Sequence, residues 1–97
     1  MEIVIHSPTP LGYGLDALQS YVEARLGDDG EVTGGGTGID GWYLYVEFQR
    51  NPTEADLNRL AESLARMKVP AGTTIRHKTQ DGLERTLKIG AEHAGGG

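Results

Sequence analysis

Side chains suited to chemistry are sparse in this sequence. Its histidines are His6, His77 and His93, and its serines are Ser7, Ser20 and Ser63. Histidine is the side chain most often used to move a proton near neutral pH. A serine needs such a base beside it before it can attack. No serine here sits in the G-x-S-x-G turn that exposes a nucleophile, and Ser20 and Ser63 fall inside helical patterns. His6 and His77 fall on strands expected to be neighbours, but two histidines without a carboxylate at matching spacing make a poor metal site. The chain has no cysteine, which removes thiolate nucleophiles, disulfides and cysteine-based zinc sites. The expectation is no catalytic residue, no metal and no cofactor, and so a protein that is not an enzyme.

One stretch matches a nucleotide motif in letters only. Gly36-Thr37-Gly38-Ile39-Asp40-Gly41 reads G-x-G-x-x-G. The dinucleotide fingerprint needs a strand before the glycines and a helix after them, so that the helix N-terminus meets the pyrophosphate. Here the glycines run into Trp42 to Gln49, an alternating strand pattern. No helix begins where the phosphate would sit. The stretch reads as a flexible connection between two strands, or as a place where backbone can approach a partner closely.

The richer signal is for binding. Asp28, Asp29, Glu31, Asp40 and Glu47 gather around the expected second and third strands, with Trp42, Tyr43 and Tyr45 beside them. Exposed Trp and Tyr are enriched where proteins bind one another, and an acidic rim suits a basic partner. These eight residues are the candidate partner-binding set. An uncovered sheet face or edge also makes a homodimer an expected arrangement.

The elements that must position these residues follow from periodicity. Glu2 to His6 alternates and is β-branched, which predicts a strand; Ser7-Pro8-Thr9-Pro10 then breaks it. Leu15, Leu18, Val22 and Leu26 lie at helical spacing and predict a helix over 15–26, stopped by Gly27. Glu31 to Thr33 predicts a short strand. Trp42 to Gln49 has one apolar face, Trp42, Leu44, Val46 and Phe48, and one polar face, Tyr43, Tyr45, Glu47 and Gln49. A second helix is signalled by Asn51 as cap, Pro52 at N1 and Glu54 at N3. Its stripe is Leu57, Leu60, Ala61 and Leu64, with Met67, and Glu62 and Arg66 form an i, i+4 pair. Thr73 to Lys78 and Leu83 to Ile89 predict a closing hairpin. A three-residue loop with Gly82 left-handed sets Ile75 opposite Leu87 and Lys78 opposite Glu84, matching apolar with apolar and charge with opposite charge. A two-residue Asp81-Gly82 turn would mismatch them.

The fold class expected is therefore α+β. It is a ferredoxin-like βαββαβ antiparallel sheet with two helices on one face, plus a C-terminal strand forming a hairpin. Residues 1–90 read as a single domain and 91–97 as a flexible tail. The charge is -5, from 14 acidic against 9 basic residues. No basic stripe for nucleic acid is visible, and no apolar run reaches the length of a membrane span. Met1-Glu2-Ile3-Val4-Ile5-His6 lacks the basic and apolar regions of a signal peptide, so a soluble, cytoplasmic protein is expected.

Gly30-Glu31-Val32-Thr33-Gly34-Gly35-Gly36-Thr37-Gly38, running into Asp40-Gly41-Trp42, resembles small stand-alone bacterial proteins, as does Val69-Pro70-Ala71-Gly72-Thr73-Thr74-Ile75. Some of that group resemble immunity proteins of bacterial toxin systems. The resemblance implies a stoichiometric inhibitor that plugs or covers a toxin domain, and it carries over no catalytic residue; the acidic surface suits a basic one. The function expected is a non-enzymatic protein-binding module of this kind. The alternative is a small-molecule-sensing regulatory domain acting as a dimer near the glycine loop. A third reading is a dimeric enzyme using His6 or His77 as acid or base.

Overall fold

The computed structural model describes residues 1–78 and 82–89. Asp81 of the expected hairpin turn, His93 and the expected tail 91–97 lie outside the described residues. Among the described residues, five strands and two helices follow one another: β1 (Glu2–Ser7), α1 (Leu15–Leu26), β2 (Gly30–Gly38), β3 (Gly41–Phe48), α2 (Glu54–Arg66), β4 (Thr73–Lys78) and β5 (Glu84–Ile89). A single turn of 3₁₀ helix, Gly27–Asp29, joins α1 to β2. The fold is α+β, an open five-stranded sheet in the order β2-β3-β1-β4-β5. Every neighbouring pair is antiparallel.

Alternation in the strands builds one covered face. Ile3 and Ile5 of β1, Trp42, Leu44, Val46 and Phe48 of β3, and Ile75 of β4 are all buried. They meet Leu18, Val22 and Leu26 of α1 and Leu57, Leu60, Ala61 and Leu64 of α2 in one core. Burying a large aliphatic side chain stabilises by about 1.5–3 kcal/mol, so this layer outweighs any surface contact. Leu15, expected in the α1 stripe, is only partly buried at its start. Tyr13 ties the loop before α1 to the end of α2, its hydroxyl donating to the Met67 carbonyl at 2.6 Å; burial raises its pKa above the ordinary phenol value.

Two boundaries differ from the sequence expectation. α2 is capped by Thr53, not by Asn51, and Pro52 precedes the helix rather than opening it. The reason is a reciprocal capping box: the Asp56 amide donates to the Thr53 hydroxyl at 3.2 Å, and the Thr53 amide donates to Asp56 Oδ2 at 2.8 Å. That satisfies two helix-end donors at once, and the Arg50 guanidinium fixes the Asp56 carboxylate in the box. β2 is nine residues, not three. The glycines expected to form a flexible connection are paired strand: Gly34 lies opposite Tyr45, Gly35 opposite Leu44 and Gly36 opposite Tyr43.

The closing hairpin has the register argued from charge and hydropathy. Ile75 lies opposite Leu87 and Lys78 opposite Glu84, and Gly82 is left-handed at φ 84°. The Glu62–Arg66 pair is also formed, at 2.9 Å.

Candidate functional site

The face of the sheet away from the helices carries the candidate residues. On β3 the side chains of Tyr43, Tyr45 and Glu47 point there, because Trp42, Leu44, Val46 and Phe48 take the core face. Tyr43 and Tyr45 remain 39% and 37% exposed, and their rings stand 5.2 Å apart at a 56° tilt. Antiparallel register continues each row across the sheet. Glu47 lies between Glu31 of β2 and Glu2 of β1. Tyr45 lies between Gly34 and Val4, and Val4 faces Arg76 of β4. Tyr43 lies between Gly36 and His6, and His6 faces Thr74.

Glycine in β2 decides how these tyrosines lie. A Cβ placed on Gly36 would come within 2.9 Å of the Tyr43 hydroxyl, and one on Gly34 within 3.6 Å of the Tyr45 ring. The Tyr43 ring therefore occupies the space a side chain would take on the edge strand. Aromatic side chains on a neighbouring strand cover bare glycine backbone in this way. The turn that returns β2 to β3 is Ile39-Asp40, and Gly41 after it takes φ 112°. A Cβ at Gly41 would run into the Ser7 carbonyl, so this hairpin must carry glycine there.

The acidic residues do not form one rim. Glu31, Glu47 and Glu2 make a row at one end of the face. Asp40 sits at the hairpin tip, at the far end of the eight-residue β3, roughly 20 Å away by strand rise. Asp28 and Asp29 lie in the turn before β2, where Asp29 Oδ2 is 4.0 Å from Arg50. Glu47 already holds the Met1 amine at 3.1 Å. Trp42 is a correction to the expected binding set. It is 1% exposed and lies on the core face, because strand alternation cannot put residues 42 and 43 on one side. Its indole Nε1 is buried without a hydrogen-bond partner among the described residues.

Sequence reasoning missed Arg50. Its guanidinium forks onto Asp56, at 2.6 Å to Oδ2 and 3.2 Å to Oδ1. Asp56 is buried. The Arg50 hydrogen bond, with the Thr53 amide, holds its carboxyl well below the usual carboxylate range. An Arg after one strand and an Asp at N3 of the next helix was the available signal. The open-face side chains Val4 of β1 and Arg76 of β4 were also missed, and His6, considered only for acid–base or metal chemistry, was not placed on this face. They belong to the site by register, which needs the strand order as well as the sequence.

The histidines are not brought together. His6 shares the open face with Tyr43, whereas His77 lies opposite Ile3 and so points to the helix side. Among the described residues no group of three His, Asp or Glu side chains could hold a metal ion. A shallow basin of about 560 Å³ on the open face is bordered by Val4, Tyr45, Arg76, Lys78 and Glu84. Its lining mixes both signs of charge. No helix among the described residues is long and apolar enough to cross a membrane.

These features define a class, a small α+β domain with one open sheet face. Comparison with family models, curated proteins and solved structures gave no match for this chain.

Proposed function

We propose that this chain is a non-enzymatic protein-binding module whose docking surface is the open face of β2, β3 and β1. The observation that carries the reading is the tilted pair Tyr43 and Tyr45, held half-exposed on the face away from the core. Tyrosine supplies large contact area at little entropy cost, and it dominates many binding hot spots. The row Glu31, Glu47 and Glu2 beside it favours a basic patch on the partner. Asp40 at the hairpin tip offers a second, separate point of contact, and Trp42 supports the tyrosine strand from beneath.

The finer form of the proposal is a cytoplasmic immunity protein that neutralises a basic bacterial toxin domain by covering it. The glycine-rich resemblance of residues 30–38 motivates it, and the net charge of -5 agrees with it. A ferredoxin-like architecture goes with this reading, with β1-α1-β2-β3-α2-β4 as its body and β5 added beside β4.

The test is co-expression with the product of the adjoining reading frame, followed by size-exclusion chromatography and titration calorimetry. A stoichiometric complex is expected, and changing Tyr43 and Tyr45 to Ala should weaken it at least about a hundredfold, as loss of two hot-spot side chains does. An unchanged affinity after Tyr43, Tyr45 and Asp40 are all replaced by Ala would overturn the surface. Absence of any complex would overturn the reading for that partner class.

A further inference from the structure

β2 is an edge strand of the described sheet, and its outer backbone groups face no other strand among the described residues. A bulge interrupts it between Val32 and Gly34. Beyond the bulge the run Gly34–Gly38 pairs regularly with β3 and carries no charged residue and no proline. Charge and proline are the usual guards of a sheet edge, and an unguarded edge is a template for another strand. The opposite edge, β5, carries Glu84, Arg85 and Lys88 and so is guarded.

We infer that a second copy of this chain pairs with β2 through its own β2, antiparallel about a twofold axis at Gly36. The register follows from the regular run being centred on Gly36. It sets Gly34 opposite Gly38 of the second copy, and Gly35 opposite Thr37. A twofold perpendicular to the sheet keeps both open faces on one side. The Tyr43 rings, each lying over its own Gly36, then meet across the axis and fill the strip the glycines leave bare. No charged side chain lies within the paired run, so the seam buries no like-charge pair despite the chain's net charge of -5. The like charges brought nearest are Asp40 of one copy and the Glu31 end of the other, outside the run. Pairing therefore strengthens as salt rises. The contact is short and has few side chains, so the dimer is a weak one. The partner face proposed above stays uncovered and becomes continuous across ten strands.

Sedimentation velocity on the full chain from about 10 µM to about 1 mM, a range that brackets weak association, tests this directly. A concentration-dependent dimer is expected, and a monomer throughout overturns the inference. A Cβ at Gly38 meets nothing within 4 Å, and one at Gly34 makes an ordinary 3.6 Å contact, so both sites accept a side chain. G34K with G38K sets lysine against lysine twice and should abolish the dimer while circular dichroism stays native. G34K with G38E sets lysine against glutamate and should restore it. A dimer that survives the double-lysine change, or a folded G34K/G38E protein that stays monomeric, overturns the β2 register. None of these readouts depends on the proposed protein partner, so either idea can fail alone.

Discussion

β5 closes one side of the sheet with Glu84, Arg85 and Lys88 on a six-residue strand. β2 closes the other side with nine residues, of which Glu31 alone is charged and five are glycine. Both strands are antiparallel to their inner neighbour, yet they hold their places by different means. β5 brings its own side chains: Leu87 opposite Ile75, Glu84 opposite Lys78, and Ile89 buried in the core. β2 brings one buried side chain, Val32, and takes the rest of its cover from β3. Glycine raises the entropy cost of forming a strand, so the order of β2 depends on Tyr43, Tyr45, Leu44 and the Gly41 hairpin. An edge free of its own side chains is also the one that another strand can approach.

The hairpins that deliver the two edges provide the largest contrast. Gly41 and Gly82 both have positive φ, but a Cβ at Gly41 meets the Ser7 carbonyl, whereas one at Gly82 meets nothing. Gly41→Ala should therefore cost about 3 kcal/mol, combining backbone strain with a main-chain clash. Gly82→Ala should cost about 1 kcal/mol, the left-handed penalty alone. Urea unfolding of the two variants measures both. Equal costs would mean that close packing against β1 does not set the β2 hairpin.

The approach to β2 is anchored by Arg50, which bonds Asp56 and reaches toward Asp29 just before the strand. Asp56→Ala removes both the capping box and the buried end of the ion pair, and should cost about 2 kcal/mol. The pH dependence has a definite sign. Because the folded carboxyl titrates below its unfolded value, its contribution is complete above about pH 4, where the unfolded carboxylate is ionised. It is lost as pH falls from there toward the folded pKa. Wild type and Asp56→Ala should thus converge in stability between pH 4 and lower values, as denaturant midpoints across about pH 2–7 will reveal. A constant gap would contradict the assignment.

Covering of β2 by tyrosine is the next effect in size. Tyr43→Ala and Tyr45→Ala should each destabilise by about 1 kcal/mol through lost cross-strand contact. Their local signature should be faster hydrogen exchange at the amides of β2, with β5 unchanged. A uniform change across both edges would show that the tyrosines support the whole sheet and not the glycine strand.

How much of this could be read in the sequence depended on where the information lay. α1, β3 and the β4–β5 register were legible because each has a one-dimensional period or a pairing of opposites, such as Ile75 with Leu87. The cap of α2 was misplaced because Asn51-Pro52 and Thr53–Asp56 both satisfy local rules, and only the buried Asp56 carboxylate, fixed by Arg50, decides between them. The glycines of β2 read as a loop because strand propensity belongs to side chains, and here those side chains belong to β3. Of the candidate set, Tyr43, Tyr45, Glu31 and Glu47 share a face. Trp42 belonged to the opposite one by the same alternation that identified the strand. Asp40 could be placed apart from Glu31 only once the hairpin turn was known to lie at Ile39-Asp40.

The smallest effect tests whether glycine in β2 is required for stability at each position. Gly34 has extended backbone room, and a Cβ there makes only an ordinary contact with Tyr45 at 3.6 Å. Gly34→Ala should therefore stabilise by about 0.5 kcal/mol, by reducing the freedom of the unfolded chain. At Gly36 the added methyl meets the Tyr43 hydroxyl at 2.9 Å. That is the tip of a side chain able to turn away, so the entropy gain and the lost cover should nearly cancel. Gly35 has no such escape, since its Cβ would meet the Tyr43 carbonyl at 2.9 Å and Leu44 at 2.7 Å, and Gly35→Ala should destabilise. Three neighbouring glycines on one edge thus divide into one gain, one near-zero change and one loss, readable from thermal midpoints of the three variants. β5, which holds its place with its own side chains, has no counterpart to this reversal. If all three alanines stabilise alike, the rings of β3 do not occupy the glycine strip, and β2 is an ordinary edge that lacks side chains.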